Sequence, residues 1–389
     1  MFQREIDLPK KHSFFLFGPR GVGKSTLLQT FLPHEQTHII DLLNFELETQ
    51  LIQKPGELGQ ILKALPSSKQ WVLIDEIQKI PSLLNEVHRS IEKNSHRFFA
   101  LTGSSARKLK RGQANLLAGR AFTYQLHPLT IHELSKQFDL QTALSYGTLP
   151  KIYHLENNEN RKDFLSSYAQ TYLKEEILAE GLVRNLPAFR RFLPLAAQEN
   201  GNIISWSNLA SDLGLDSKTI RSYFEILEDT LVGFLLPAYS KSIRKRQKSH
   251  PKFYLFDPGV KRALAGELSF ELVPRTSEYG LAFEHFFILE IMRLANYKKW
   301  ECSFSYFATH DIEIDLVIEK FHHPPVFIEI KSSNKIKGSM LSPLISIVRE
   351  IKGAKGFCLC QEKTRRKVEN ILVLPWQETR SALEEVFGV

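Results

Sequence analysis

The sequence predicts an α/β protein: a P-loop-type parallel sheet with a helical lid, then a helix-turn-helix unit, then a second α/β domain. Three observations predict it. The apolar run Phe14–Phe17 leads into Gly18-Pro19-Arg20-Gly21-Val22-Gly23-Lys24-Ser25-Thr26, and a helical pattern, Leu27–Phe31, follows. Short apolar runs alternate with helical stretches up to about residue 126, the order of a parallel sheet covered on both faces. In the last third, two alternating runs around Asp315 and Glu329 follow a long apolar helix.

A strand, a glycine-rich loop and a helix are the context that a phosphate-binding loop requires. The glycines turn backbone N–H groups toward a phosphate chain, and the helix N-terminus adds partial positive charge. Gly18 to Thr26 would cradle ATP or GTP, with Lys24 reaching the β- and γ-phosphates and the Ser25 hydroxyl holding Mg²⁺. Trp71-Val72-Leu73-Ile74-Asp75-Glu76 is an apolar strand ending in two carboxylates. Asp75 would bind the Mg²⁺ through water, and Glu76 would polarise the attacking water, which points to hydrolysis rather than nucleotide sensing alone.

The expected strands of this first unit are Ser13–Phe17, His38–Leu42, Val72–Ile74, Phe98–Leu101 and Phe122–Gln125. The fourth ends in Thr102-Gly103-Ser104-Ser105, hydroxyls that would lie beside the γ-phosphate; Ser104 is the first candidate and Thr102 the second. Arg107, Lys108, Lys110 and Arg111 form a basic cluster, either a solvated loop or a grip on a phosphate backbone. Arg120 is either an arginine finger, acting in cis or in trans, or a surface residue.

The 389 residues fit two to three domains. The divisions read here are 1–126 for the P-loop core, 127–200 for the lid, 201–258 for the helix-turn-helix unit and 259–389 for the last domain. In the lid, Thr130 caps an apolar helical face, and Tyr168 to Leu178 is amphipathic. Ser207–Leu213, the Gly214 turn and a helix from Asp216-Ser217 to Leu227 have helix-turn-helix spacing, and the apolar run after them predicts a winged helix. Ser217, Lys218, Thr219 and Arg221 open the second helix, where such helices meet the major groove. Lys241 to Lys252 then supplies six Lys or Arg and no acid, a phosphate-contacting hairpin.

The last domain carries its own constellation. In Ile312-Glu313-Ile314-Asp315-Leu316-Val317-Ile318, period-two alternation sets the isoleucines on one face and Glu313 and Asp315 on the other. Fourteen residues past Asp315, Glu329 and Lys331 share one face of Val326–Lys331. Asp315 and Glu329 would hold Mg²⁺ or Mn²⁺ against a phosphodiester, and Lys331 would orient or deprotonate water. Glu284 lies on the same helical face as Leu281, Phe287, Ile288 and Ile291, where a carboxylate is costly unless paired or metal-bound, and is a further candidate ligand.

This Asp…Glu-x-Lys arrangement after a helix with an inward Glu resembles the PD-(D/E)xK nuclease superfamily. With the P-loop, Leu73–Gln78, Leu101–Ser105, Gly119-Arg120, Tyr146-Gly147-Thr148-Leu149-Pro150 and Lys252–Asp257, the chain resembles prokaryotic AAA-type ATPases that end in a nuclease-like domain of unknown function. The resemblance implies an AAA-type core, a winged helix and a restriction-nuclease-like end, with ATP rather than GTP as the nucleotide. It also admits a homo-oligomeric ring. Where an Arg-Asp pair is typical of the group, this chain reads Lys174-Glu175-Glu176.

Composition narrows the partners. Hydrophobic residues at 43% and charged residues at 24% suit a globular chain with sizeable cores. The net charge of +8 favours an acidic partner such as DNA. No apolar run approaches the ~20 residues of a membrane span and no signal peptide opens the chain, so no membrane partner and a cytoplasmic site are expected. Cys302, Cys358 and Cys360 lack zinc spacing and read as reduced and structural. The leading reading is an ATP-hydrolysing, DNA-associated protein whose nucleotide state gates the C-terminal domain. A nucleotide-driven protein-interaction switch and a nuclease with a structural nucleotide site are the alternatives, and Glu76 counts against the last.

Overall fold

A computed structural model of the chain describes residues 2–93, 96–104, 117, 119–172, 183, 185–240 and 250–388. The Arg107–Arg111 cluster, the 173–178 end of the Tyr168 helix, Lys174–Glu176 and basic residues 241–249 lie outside the described residues.

The first unit is a five-stranded parallel sheet. Its strands are β1 (Ser13–Phe17), β2 (Thr37–Asp41), β3 (Trp71–Asp75), β4 (Phe98–Gly103) and β5 (Ala121–Gln125), in the order β2-β3-β4-β1-β5. The five expected strands are all present, each within two residues of its expected ends. Both faces are covered, as the unbroken apolar runs require. Phe15, Phe17, Val72 and Ile74 join one core with Leu51, Leu58 and Leu84. Phe14, Leu16, Trp71 and Leu73 join the opposite core with the lid residues Leu149, Tyr168 and Phe192. Helix α1 (Lys24–Phe31) leaves the glycine-rich loop directly.

The lid begins at a short helix, Ile131–Leu134, closed by a reciprocal cap between Thr130 and Glu133. Helix α2 (Leu140–Tyr146) and a turn at Gly147 follow. Further on come helix α3 (Trp206–Leu213), a left-handed Gly214, helix α4 (Ser217–Asp229) and the antiparallel pair β6 (Gly233–Leu236) and β7 (Lys252–Leu255). Asp216 caps α4 through the amides of Lys218 and Thr219, both at 2.9 Å.

Lid and β7 interlock through two motifs far apart in sequence. Asp257, fully buried just after β7, accepts from Thr148 N at 2.7 Å, Gly259 N at 2.9 Å and Val260 N at 3.1 Å. A Cβ on Gly259 would stand 2.1 Å from the Tyr146 carbonyl oxygen. Glycine is required there by close approach rather than by a turn.

The last unit is a six-stranded mixed sheet with helix α5 (Ser277–Tyr297) against it. The strands β8 (Cys302–Ala308), β9 (Glu313–Lys320), β10 (Val326–Ile330), β11 (Lys355–Cys360), β12 (Arg366–Val368) and β13 (Ile371–Pro375) run in the order β12-β13-β11-β10-β9-β8. Two details differ from the sequence reading. Leu281 is 51% exposed, while Phe287, Ile288 and Ile291 are buried; Tyr279 and Phe283 on either side of Leu281 reach the core and Leu281 faces away from it. The isoleucines of β9 do not share a face: Ile314 packs with Val317 and Phe327, and Ile318 packs with Leu316 and Ile328. Ser305 pairs with Val317 but Phe307 pairs with Ile314, so β9 carries one extra residue and a bulge reverses its alternation. Among the described residues, no helix is long and apolar enough to cross a membrane.

Two outcomes test this packing. Gly259→Ala pushes a methyl into the Tyr146 carbonyl and should cost about 2 kcal/mol or more in urea unfolding. Glu290 sits on α5 with its carboxyl pushed up to about 7 by burial, opposed by Arg293 and by the Ile131 amide. The folded chain therefore holds a proton that the unfolded chain releases near 4.5. Stability from this group is full below that pH and is lost as pH rises through 7, by an amount of about 3 kcal/mol. Glu290→Gln should remove this fall, so that variant and wild type diverge between acidic and alkaline unfolding curves.

Candidate nucleotide site and C-terminal charged cluster

Gly21 (φ 82°) and Gly23 (φ 93°) take left-handed conformations that wrap the loop between β1 and α1. Lys24 is buried, and its ammonium donates to the carbonyls of Gly18 at 2.7 Å and Pro19 at 3.2 Å. Ser25 Oγ donates to Asp75 Oδ2 at 2.8 Å, bringing together the hydroxyl and carboxylate expected to hold Mg²⁺. Their adjacency at the end of the glycine loop fits that ion, with oxygen donors of the hardness it prefers.

The end of β4 organises the carboxylates of β3. Thr102, fully buried, donates its hydroxyl to Asp75 Oδ1 and accepts from Glu76 N at 3.1 Å. Glu76 has φ 61°, an uncommon state for a residue with a side chain. Gln78 Nε2 donates to Glu76 Oε2 and to Ser104 Oγ at 3.1 Å. Ser104, the first candidate, thus meets Glu76 through Gln78, while Thr102 touches Asp75 directly. Arg120 pairs with Glu92 at 2.9 Å on the surface.

Two further side chains hold the glycine loop from outside it. Tyr168 OH donates to the Arg20 carbonyl at 2.8 Å from the lid. Arg4 donates to the Val22 carbonyl at 2.7 Å, the His127 carbonyl at 2.6 Å, Glu133 at 3.0 Å and Tyr297 OH at 3.3 Å. Glu133 and Tyr297 favour the charged guanidinium and, against burial, hold its pKa above the usual value. Sequence reasoning assigned no role to Gln78, Arg4 or Tyr168. Gln78 stood next to the Asp75-Glu76 pair, but nothing local marked the other two.

The C-terminal residues also meet. Asp315 lies at the β9 bulge, and its Oδ2 accepts from Ile330 N at 2.7 Å. Lys331 pairs with Glu329 Oε1, while Glu329 Oε2 is buried with no hydrogen-bond partner. Glu284, from the second turn of α5, accepts from Tyr254 OH at 2.7 Å. Burial raises the Asp315 carboxyl well above the usual carboxylate range, and the charges of Glu284 and Glu329 push the same way. Burial likewise raises Glu329, against the pull of Lys331. The attraction of Asp315 and Glu329 outweighs burial at Lys331 and lifts its pKa.

An unexpected cation stands among them. Lys252, the first residue of β7 and the last of the basic run, is 2% exposed and pairs with Glu313 at 2.6 Å and Glu284 at 3.5 Å. It faces carboxylates of the last unit rather than solvent. Among the described residues, no group of three or more His, Cys, Asp or Glu side chains is placed to hold a metal ion. The Glu284, Asp315 and Glu329 carboxylates expected to ligate Mg²⁺ or Mn²⁺ are accompanied by the ammonium groups of Lys252 and Lys331 instead.

Comparison with known proteins matches three regions of the chain. Residues 10–135 match the family model of an AAA domain, residues 137–270 that of a domain of unknown function (DUF8612), and residues 279–379 that of a second domain of unknown function (DUF4143). An uncharacterized protein of Mycobacterium tuberculosis is 28% identical over 335 residues, 85% of this chain and 73% of that one. One of Haemophilus influenzae is 23% identical over 301 residues, 71% of this chain and 73% of that one. Domain III of the Thermotoga maritima replication initiation protein DnaA overlaps 57% of this chain and 85% of its own at 17% identity, with a TM-score of 0.27, an overlap too small to bear on function. The AAA-domain match and the Lys24, Ser25 and Asp75 geometry together support an AAA-type P-loop core and nucleotide-dependent activity.

Proposed function

We propose that this chain is an ATP-hydrolysing, DNA-associated AAA-type protein whose nucleotide state gates its C-terminal charged site. The observation that carries the hydrolytic part is the continuous set of bonds from Ser25 through Asp75 and Thr102 to the Glu76 amide. Backbone N–H groups of Gly21 to Ser25 would bind the phosphates, and Lys24 would exchange the Gly18 and Pro19 carbonyls for phosphate oxygens. Ser25 and Asp75 would hold Mg²⁺, which neutralises charge on the phosphates. Glu76 would accept the proton of the attacking water, and Gln78 would keep that carboxylate aimed while contacting Ser104. Arg120 would act across a homo-oligomer by exchanging Glu92 for a phosphate oxygen.

Three features support DNA association. The net charge is +8. Lys218 and Arg221 are exposed at the start of α4, and Arg221 packs on Trp206 at 5.4 Å. The two helices followed by an antiparallel pair suit a winged-helix reading of 201–258. Asp315, Glu329 and Lys331 suit a nuclease-like reading of the last domain. Gating has a physical route: Arg4 touches Val22 of the glycine loop and Tyr297 of α5, the helix that carries Glu284.

The second reading is a nucleotide-driven protein-interaction switch with a non-catalytic last domain. Pairing of its carboxylates with Lys252 and Lys331 favours it. ATP turnover by the full chain, with and without duplex DNA, separates the two. Lys24→Ala should abolish turnover, and Glu76→Gln should keep ATP binding while lowering kcat by about a hundredfold or more. DNA should stimulate wild-type turnover, with the effect fading steeply from about 50 to about 200 mM salt. Turnover indifferent to DNA, with nucleotide-dependent assembly, selects the interaction switch. No turnover at all overturns both.

A further inference from the structure

A cleft of about 910 Å³ opens where the P-loop core, the β6–β7 pair and the last unit meet. It follows Phe122 to Gln125 of β5, the strand at one end of the first sheet. Its other walls come from the end of α4 and β6, at Leu231 and Phe234, and from α5 and β8, at Met292 and Phe304. Among the described residues β5 pairs with β1 alone. Leu126 N donates to the Phe17 carbonyl, and in a parallel ladder this parity turns Phe122 and Tyr124 toward β1 as well. Thr123 and Gln125 therefore aim their N–H and C=O groups away from β1, at the open edge. Among the described residues none of these four groups has a hydrogen-bond partner. The strand reads Ala121-Phe122-Thr123-Tyr124-Gln125, without the charge or proline that blunts an edge, and Phe122 is 52% exposed.

The charges of the cleft are mostly acidic, in a chain whose net charge is +8. Asp7, Glu228 and Glu301 line it. Of its two cations, Lys299 lies 5.4 Å from the centre of the Tyr124 ring, and Arg293 is bonded to Leu129, Thr148 and Phe256. Glu228 accepts from Leu235 N at 2.8 Å, and burial raises its pKa, so a cation beside it is favoured. The same carboxylates repel a phosphate backbone. Three of the nine non-glycine residues with positive φ also line the cleft: Leu231 at 59°, Lys299 at 54° and Glu301 at 49°. Such conformations gather where a ligand is clamped.

We propose that the open edge of β5 docks an extended peptide segment of a partner protein, which adds a strand beside β5 and presents Lys or Arg to the carboxylates of the cleft. Main-chain bonds to Thr123 and Gln125 supply affinity, and the cleft walls select the side chains. Free donors and acceptors that alternate about 7 Å apart along a strand match another main chain better than they match a compact small molecule. Lys218 and Arg221 stand at the other end of α4 from Glu228, so the docking edge is separate from the surface assigned to DNA. Docking requires neither ATP turnover nor DNA, so failure of either reading is seen separately from failure of this one.

The experiment is fluorescence polarisation of a labelled peptide, Thr-Val-Lys-Val-Lys-Val-Thr, with the nucleotide-free full chain. A peptide with Glu in place of Lys and two peptides N-methylated on alternate amides run beside it. Wild type should bind the Lys peptide saturably and the Glu peptide about tenfold more weakly or worse. One N-methylated set faces β5 and should lose binding, while the other set keeps it. Thr123→Pro puts ring carbons where an outward N–H stands and leaves the bonds to β1 in place, and it should weaken binding about tenfold. Glu228→Gln keeps an acceptor for Leu235 N, removes a charge and should weaken binding about threefold. No saturable binding of the Lys peptide to wild type, or equal binding of the Glu peptide, overturns the proposal. So does a Thr123→Pro chain with a cooperative thermal transition that binds as wild type does. Should Thr123→Pro not fold, the N-methylated peptides decide, and two sets that bind alike overturn the docking edge. Displacement of the peptide by duplex DNA whose own binding is lost in Thr123→Pro assigns the cleft to DNA and overturns it too.

Discussion

Arg293 is wholly buried on α5, and its guanidinium donates to oxygens from three other parts of the chain. They are the Leu129 carbonyl at 3.3 Å, the Thr148 hydroxyl at 3.0 Å and the Phe256 carbonyl at 2.9 Å. Burial lowers the Arg293 pKa, Glu290 and Asp257 oppose it, and the guanidinium keeps its charge. A buried cation with unsatisfied donors is among the costliest defects a fold can carry. The exit of the P-loop core, the turn of the lid and the end of β7 must therefore stand together around this one side chain. Arg4 does the same one turn further along α5, joining Val22, His127, Glu133 and Tyr297. The position of α5 against the nucleotide loop follows from these two arginines, and α5 in turn positions Glu284.

What the sequence discloses and what it hides divide along the range of the interaction. The five strands of the first unit, the glycine loop and the Asp75-Glu76 end of β3 are local patterns, fixed by apolar period and by what glycine alone permits. Asp315, Glu329 and Lys331 were legible because strand alternation is also local. The bulge in β9 was not, since the extra residue is defined by the partner strand: Phe307 opposes Ile314 while Ser305 opposes Val317. Lys252 was misassigned for the same reason. Six basic residues in a run look alike on paper, and only the approach of Glu284 and Glu313 from other elements sets the last apart. Gln78 lay within a quoted motif, yet its role depends on Ser104, a residue 26 positions away.

The bulge itself serves the charged cluster. Regular pairing of β9 with β10 runs from Val326 opposite Ile318 to Ile328 opposite Leu316. Beyond that point the amide of Ile330 bonds the Asp315 carboxylate in place of a strand carbonyl. The side chain completes the ladder that the extra residue interrupts, and this fixes one carboxylate oxygen at the sheet. A strand without the bulge would pair through its backbone here and would leave Asp315 on a different face.

Two buried lysines, Lys24 and Lys252, stand at the two charged sites of the chain. Lys24 donates to the carbonyls of Gly18 and Pro19, which a phosphate outcompetes for an ammonium. Lys252 rests on carboxylates, which match its charge and release it less readily. The carbonyls of Arg20 and Val22 are already held by Tyr168 from the lid and Arg4 at the start of the chain. Arrival of phosphate would therefore rearrange the front of the glycine loop while its back stays fastened to the lid and, through Tyr297, to α5. The loop is also held by Gly18 N, which donates to the Gly103 carbonyl at 3.3 Å, and beside that contact strain from the exchange can leave along Tyr168 and Arg4. One leads to the lid that Asp257 ties to β7, and the other leads to the helix that carries Glu284, so both end at Lys252.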